Sequence, residues 1–156
     1  MPEIVRSAAI IDVVNAVQIL QVDERDSYWE DGTPRFRVYL HGSEETSTYG
    51  WTDTYDITGA DVLQVIDWAQ RQAGDALTFA VALISERDLQ EPHDPRSGRG
   101  LVWLVGMDGN DTAIDEGEAE TQRRMLSRPA EPVGVPEADR MPAGVLDPYN
   151  DGGRNR

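Results

Sequence analysis

Residues 58–74, TGADVLQVIDWAQRQAG, decide the fold because they have the pattern of one amphipathic helix with a start and a stop. Thr58 is suited to cap the helix, with Asp61 three residues later in the capping-box position, and Gly74 is suited to end it. The apolar side chains recur at helical spacing on one face: Val62, Val65, Ile66, Ala69 and Ala73. Polar side chains fall mainly on the other face: Asp61, Gln64, Asp67, Arg71 and Gln72. The pattern predicts a helix that covers one side of a small sheet.

Strand-like segments flank this helix on both sides, at residues 16–22, 35–41, 51–57, 77–84 and 101–107. Residues 35–41 show the clearest alternation of apolar and polar side chains. We expect them to form a hairpin with residues 16–22 across the turn pair Asp31-Gly32. Residues 101–107, LVWLVGM, are apolar on both faces, which favours a central position in the sheet. The sequence therefore predicts an α+β fold with a mostly antiparallel sheet of about five strands.

The two ends of the chain differ from this region. A short helix is predicted for residues 2–15, although a β-branched cluster there argues for a strand. Residues 111–128 begin with acids and end with arginines, the charge order that suits a weak helix. From residue 129 onward the sequence is mainly Pro, Gly and charged residues, which predicts an extended tail. We therefore expect an α+β domain at 1–110, a weak acidic and basic helix at 111–128 and a tail at 129–156.

The predicted tail carries apolar residues at intervals: Val133, Val135, Met141, Val145, Leu146 and Tyr149. An arm of this kind can bind along a neighbouring protein and become ordered as it does so. Trp68 lies off the main apolar stripe of the central helix, so it is either an exposed anchor for a partner or a residue that covers the sheet edge. These seven residues are the predicted partner-binding site. The alternative for the tail is that it is disordered and binds nothing, as proline-rich termini commonly are.

The net charge of −15 comes from 29 acids and 14 arginines, with no lysine. Acids outnumber arginines by 9 to 4 in residues 1–50, by 9 to 4 in 51–100 and by 11 to 6 in 101–156, so the acidity is spread evenly. Such a surface repels nucleic acid and anionic membranes, and it attracts a basic protein. The alternative is that the charge only keeps the protein soluble.

Neither a signal peptide nor a membrane span is evident, because polar residues interrupt the most apolar early segment, residues 4–22. We expect a cytoplasmic protein, or a virion protein if the gene belongs to a phage. A lysine-free chain rich in Ala, Val, Gly, Asp and Arg is typical of a GC-rich genome, such as that of an actinobacterium or its phage. The chain has no cysteine, which excludes disulfides, thiolate metal sites and cysteine nucleophiles.

Candidate catalytic groups are few. The two histidines, His41 and His93, each have carboxylates close in sequence, but neither has a metal-ligand spacing. The stretch that begins at Asp108 has part of a calcium-loop pattern, but Ala113 and Ala119 occupy positions that need Gly and Glu. We therefore predict a turn there, and no catalytic residue, metal or cofactor in the chain.

These observations favour a non-catalytic protein-binding subunit or adaptor of a larger assembly, which uses the tail to bind protein partners or further copies of itself. The order of the predicted elements also occurs in small adaptor proteins, including some phage tail and neck subunits. One alternative is an acidic inhibitor, immunity protein or nucleic-acid mimic that blocks a basic partner. The other alternative is an enzyme with a site around His41 or His93.

Overall fold

A computed structural model describes residues 17–43, 50–86 and 98–150. The chain divides into two compact units, Met1–Glu30 and Asp31–Arg156. The described part of the first unit contains a short 3-10 turn at Glu24–Asp26, capped by the side chain of Asp23. It also exposes several large apolar side chains: Val17, Ile19, Leu20, Val22, Tyr28 and Trp29. The helix predicted for residues 2–15 lies outside the described residues.

The second unit has the predicted α+β fold. Its elements are β1 (Phe36–Ser43), β2 (Gly50–Ile57), α1 (Val62–Ala73), β3 (Thr78–Glu86), β4 (Arg99–Val105) and α2 (Glu116–Ser127). The four strands form one sheet in the order β2-β1-β3-β4, and every neighbouring pair is antiparallel. Helix α1 therefore connects β2 to β3, the two strands on either side of β1.

Two expectations about the sheet are wrong. Residues 17–22 form no strand. Strand β1, which was to be their hairpin partner, pairs with β2 along one edge and with β3 along the other. The last strand, β4, lies at an edge of the sheet instead of at its centre. The described sheet therefore has four strands, with β1 and β3 inside.

Helix α1 begins at Val62, three residues later than a cap at Thr58 predicts. Asp61 is the capping residue: its carboxylate accepts the N–H of Gln64 at 2.9 Å, and its own N–H donates to the Gln64 side chain at 3.0 Å. Gly59 has a φ of +74°, a left-handed conformation that prevents a helix from starting at Thr58. Gly74 ends the helix as predicted, with a φ of +55°.

The hydrophobic core lies between α1 and one face of the sheet. Its buried members are Phe36, Val38, Leu40, Val65, Trp68, Ala69, Ala73, Phe79 and Val81. In the sheet, Val38 lies opposite Tyr55 on one side and Val81 on the other, so one row of side chains runs across three strands under the helix. Burial of each large apolar side chain stabilises the fold by about 1.5–3 kcal/mol.

Helix α2 contacts β3 and is otherwise mostly exposed. Its one buried residue is Met125, whose sulfur lies 3.2 Å from the backbone nitrogen of Met107. Gly106 has a φ of +77°, and a Cβ there would lie 3.0 Å from the sulfur of Met125. The chain can turn from β4 toward α2 at this point only because residue 106 has no side chain.

After α2, residues 129–150 form a segment with a single 3-10 turn, at Glu137–Asp139, and no α-helix or strand. We call these residues the C-terminal arm. The predicted tail is therefore irregular, but its described part packs against its own unit, with Met141 and Tyr149 against the core.

Candidate functional site

The C-terminal arm lies along α1, and three side chains of the helix bond to it. The indole N–H of Trp68 donates to the carbonyl oxygen of Leu146 at 2.7 Å. The Gln70 amide donates to the carbonyl oxygen of Val133 at 2.8 Å, and the Gln72 amide donates to the carboxylate of Asp147, also at 2.8 Å. Because two of the three acceptors are backbone carbonyls, the side chains of α1 bind mainly to the main chain of the arm.

Trp68 is only 5% exposed. Its ring packs edge-on against Tyr55 with the ring centroids 5.4 Å apart, and its single donor is satisfied by the arm. The interpretation of Trp68 as an exposed anchor is therefore wrong, because the sheet and the arm enclose its ring. Trp68 instead contacts both the core, through the Tyr55 ring, and the arm, through the carbonyl of Leu146.

The side of α1 that carries polar residues is also covered. Asp67 and Gln72 are buried, although the sequence assigns them to the polar face. Arg71, one turn later, pairs with the Asp67 carboxylate at 2.9 Å. The Gln72 side-chain oxygen faces the N–H of Tyr149 at 3.4 Å. These hydrogen bonds satisfy polar groups whose burial would otherwise destabilise the fold.

Tyr149 attaches the end of the arm to β2. Its hydroxyl donates to the carboxylate of Asp53. Burial, reinforced by the hydrogen bond to this carboxylate, raises the pKa of Tyr149 well above its ordinary value. The hydroxyl therefore keeps its proton and remains a donor at all ordinary pH values.

Two clefts lie along the arm. One, of about 740 Å³, has mixed charge and includes Asp67, Arg71 and Arg140. The other, of about 360 Å³, is lined by the rings of Tyr55 and Trp68 and by three of the predicted anchors, Met141, Val145 and Leu146. The arm therefore brings part of the predicted partner-binding set together around one aromatic cleft.

The predicted anchors fall into two groups. Met141 and Tyr149 pack against the core, and Val133 and Val135 are half-buried. Val145 and Leu146 are exposed, at 40% and 61%. That these residues bind a partner stays a prediction. In this structure, only Met141 and Tyr149 among the six tail residues pack against the core of their own unit.

Sequence reasoning missed three residues that hold the arm: Asp53, Gln70 and Gln72. Their contacts with the arm join residues 63 to 96 positions apart. Short-range spacing carries no signal for such pairs, and a glutamine on a polar helix face is ordinary in a solvated helix.

His41 is buried, and both of its ring nitrogens are engaged. The N–H of Gly109 donates to Nε2 at 3.2 Å, so in the neutral ring Nδ1 carries the proton and donates to the Thr52 hydroxyl, also at 3.2 Å. Burial lowers the pKa of His41, and the charge of Asp108 acts in the opposite direction. These contacts support a structural role for His41 in holding the 108–111 turn against the sheet. His93 lies outside the described residues.

The turn predicted at Asp108 is confirmed. Its carboxylate accepts the N–H of Asn110 at 3.0 Å, and its carbonyl accepts the N–H of Asp111 at 3.2 Å. A Cβ on Gly109 would lie 2.9 Å from the His41 ring, so any side chain there would have to displace the ring or the turn. Within residues 17–43, 50–86 and 98–150, no group of three acidic or histidine side chains is arranged to hold a metal ion.

None of the helices in the described part of the chain combines the length and apolar character needed to cross a bilayer. Comparison of the sequence with protein-family models, with curated proteins and with solved structures finds no match. A function must therefore be argued from the surfaces of the chain itself.

Proposed function

We propose that this chain is a non-catalytic protein-binding subunit or adaptor of a larger assembly. It works in the cytoplasm, or in the virion if it is phage-encoded, and its partner binds where the C-terminal arm crosses α1. The observation that carries the proposal is the position of Val145 and Leu146, two exposed apolar residues beside the aromatic cleft of Tyr55 and Trp68.

The backbone around these two residues is held in place before any partner arrives. The Leu146 carbonyl accepts the Trp68 indole N–H, and the next residue, Asp147, accepts the Gln72 amide. A partner that binds Val145 and Leu146 therefore does not have to order the arm, and this reduces the entropic cost of association.

The rim of this surface favours a partner with basic side chains. The two clefts are lined by four acids, Asp56, Asp67, Glu137 and Asp147, and by two arginines, Arg71 and Arg140, so acids outnumber bases there. Opposite charge at a rim accelerates encounter and orients the partner, while the apolar centre supplies most of the affinity.

Replacement of the two exposed anchors tests the proposal. The double variant Val145→Asp, Leu146→Asp should lose at least tenfold in the amount of partner captured from the native host extract, as quantified by mass spectrometry. The matched control is Ile114→Asp, Leu126→Asp, which makes the same change at two exposed apolar residues near α2. Equal capture by the wild-type protein and the arm variant would contradict the proposal.

The uniform acidity favours a second candidate, an acidic inhibitor of a basic partner. Salt separates the two candidates, because the Debye length falls from about 10 Å at 0.1 M to about 3 Å at 1 M. A complex centred on Val145 and Leu146 should persist at 0.5 M NaCl. A complex made by charge alone should dissociate, and in low salt the arm variant should not weaken it, because the variant adds two acidic groups.

A further inference from the structure

Strand β4 lies at the edge of the described sheet, although its sequence is typical of a central strand. Residues 101–105, LVWLV, are apolar on both faces, as in strands that have neighbours on each side. In the described part of the chain, β4 pairs only with β3. Three consecutive apolar side chains are exposed: Val102 at 50%, Trp103 at 38% and Leu104 at 43%. Among the described residues, one side of β4 thus lacks the neighbour that its sequence favours.

Natural edge strands usually carry features that prevent further pairing, such as lysine, proline or inward-pointing charges. In a chain that has no lysine, strand β4 carries no proline and one charged residue, Arg99, at its start. Its one protective feature is an irregularity of the β-bulge type, which leaves Leu104 without a partner in β3. A shift in register occurs opposite Val81 and Ala82, but from Arg99 to Trp103 the pairing with β3 is regular. Five residues of the outer edge are therefore available as a straight template for another strand.

The charge of this edge indicates the kind of partner. Arg99 is paired with Glu86 of β3 at 2.9 Å, so the edge is close to neutral in a chain of net charge −15. The opposite edge strand, β2, carries Asp53 and Asp56; Asp56 is paired with Arg37 at 2.7 Å, whereas Asp53 forms no ion pair among the described residues. Two identical acidic chains repel each other least where β4 meets β4, whereas a basic partner is attracted to the acids elsewhere.

We propose that β4 pairs antiparallel with β4 of a second copy of the chain, across a twofold axis, to join two four-stranded sheets into one of eight strands. A twofold axis perpendicular to the sheet keeps each side chain on the same face of the joined sheet. One residue of β4 therefore lies directly opposite its own copy, with the axis between them. With Val102 at the axis, Leu101 of each copy lies opposite Trp103 of the other. This interface is separate from the C-terminal arm and independent of the function proposed for it.

The absence of cysteine in the natural sequence makes a direct test possible. In the full-length chain, Val102→Cys should form a disulfide-linked dimer under mild oxidation, since directly opposed residues have Cα atoms about 4.5–5.5 Å apart. The control is Thr54→Cys, an exposed position on the other edge strand, which should form no disulfide-linked dimer under the same conditions. Equal crosslinking at the two positions would overturn the proposal.

Analytical ultracentrifugation gives the second measurement. The wild-type chain should sediment as a dimer, and Val102→Arg, Leu104→Arg should weaken the dimer at least tenfold, with circular dichroism to confirm that the variant is folded. Ile114→Arg, Leu126→Arg serves as the matched control, since it adds the same charge at two exposed apolar residues. Raising NaCl from 0.05 to 0.5 M should strengthen the dimer, because salt screens the repulsion between two acidic chains. A wild-type monomer at both salt concentrations, or a dimer unaffected by the arginine variant, would overturn the proposal while leaving the arm experiment unchanged.

Discussion

A single hydroxyl, that of Tyr149, joins the last described turn of the arm to the sheet through Asp53. We expect Tyr149→Phe to lower the free energy of unfolding by about 1–2 kcal/mol, because a hydrogen bond to a charged acceptor is lost and Asp53 keeps its charge without that donor. Urea unfolding at pH 7.5 measures the change. Tyr28→Phe, at a fully exposed tyrosine, should be neutral, and equal effects in the two variants would contradict this role.

Because His41 is buried, we expect the stability of the protein to depend on pH. The pKa of His41 is lowered in the folded chain by burial, from an ordinary value of 6.5. Below about pH 6.5 the unfolded chain binds a proton that the folded chain resists, so the free energy of unfolding falls as the pH falls. The urea midpoint of the wild-type chain should therefore decrease from pH 7.5 to pH 5.5 by more than that of His41→Asn. Parallel profiles in the two proteins would show that His41 does not titrate as described.

At the scale of one element, α1 depends on the capping box of Asp61 and Gln64. Asp61→Ala should destabilise the protein by about 1 kcal/mol, because the carboxylate that accepts the N–H of Gln64 at the start of the helix is lost. The comparison is Asp115→Ala, which removes the cap of α2. Because α2 buries one residue whereas α1 supplies much of the core, the Asp115 variant should unfold at nearly the wild-type urea midpoint. A larger effect at Asp115 would reverse this assignment.

The elements themselves were largely predictable, because their signals are local. The alternation around Val38, the helical spacing around Val65 and the position of Gly74 each act within a few residues. The start of α1 was predicted at Thr58, because the positive φ of Gly59 is not visible in the sequence. For the candidate site, the sequence identifies the apolar residues of the tail but not the helix surface on which the tail lies, and that these residues bind a partner stays a prediction. That surface depends on contacts between residues more than 60 positions apart.

At the scale of the whole molecule, α1 is enclosed on two sides. The sheet packs against its apolar face, and the C-terminal arm covers Asp67 and Gln72 on the face that the sequence marks as polar. The sheet side is held by apolar burial, whereas the arm side is held by a few hydrogen bonds and two apolar side chains, Met141 and Tyr149. The arm should therefore detach before the sheet unfolds.

Removal of residues 129–156 tests this difference. The hydrogen bonds and apolar contacts of the arm are opposed by the cost of ordering its backbone, about 1–2 kcal/mol per residue, so their net contribution is small. We expect the shortened chain to unfold cooperatively, with a free energy of unfolding about 1–3 kcal/mol lower. Its tryptophan emission should shift to longer wavelength, because Trp68 loses Leu146 and becomes exposed to water.

The same truncation in a Trp68→Phe background is the matched control, since the other three tryptophans make no hydrogen bond with the arm among the described residues. The shift should be absent there. A shift of equal size in that background would place its origin elsewhere, and no shift in either background would contradict the position of the arm on α1. Loss of cooperative unfolding on truncation would mean that the arm completes the core, because a segment held only at the surface can be removed without loss of the sheet and helix beneath it.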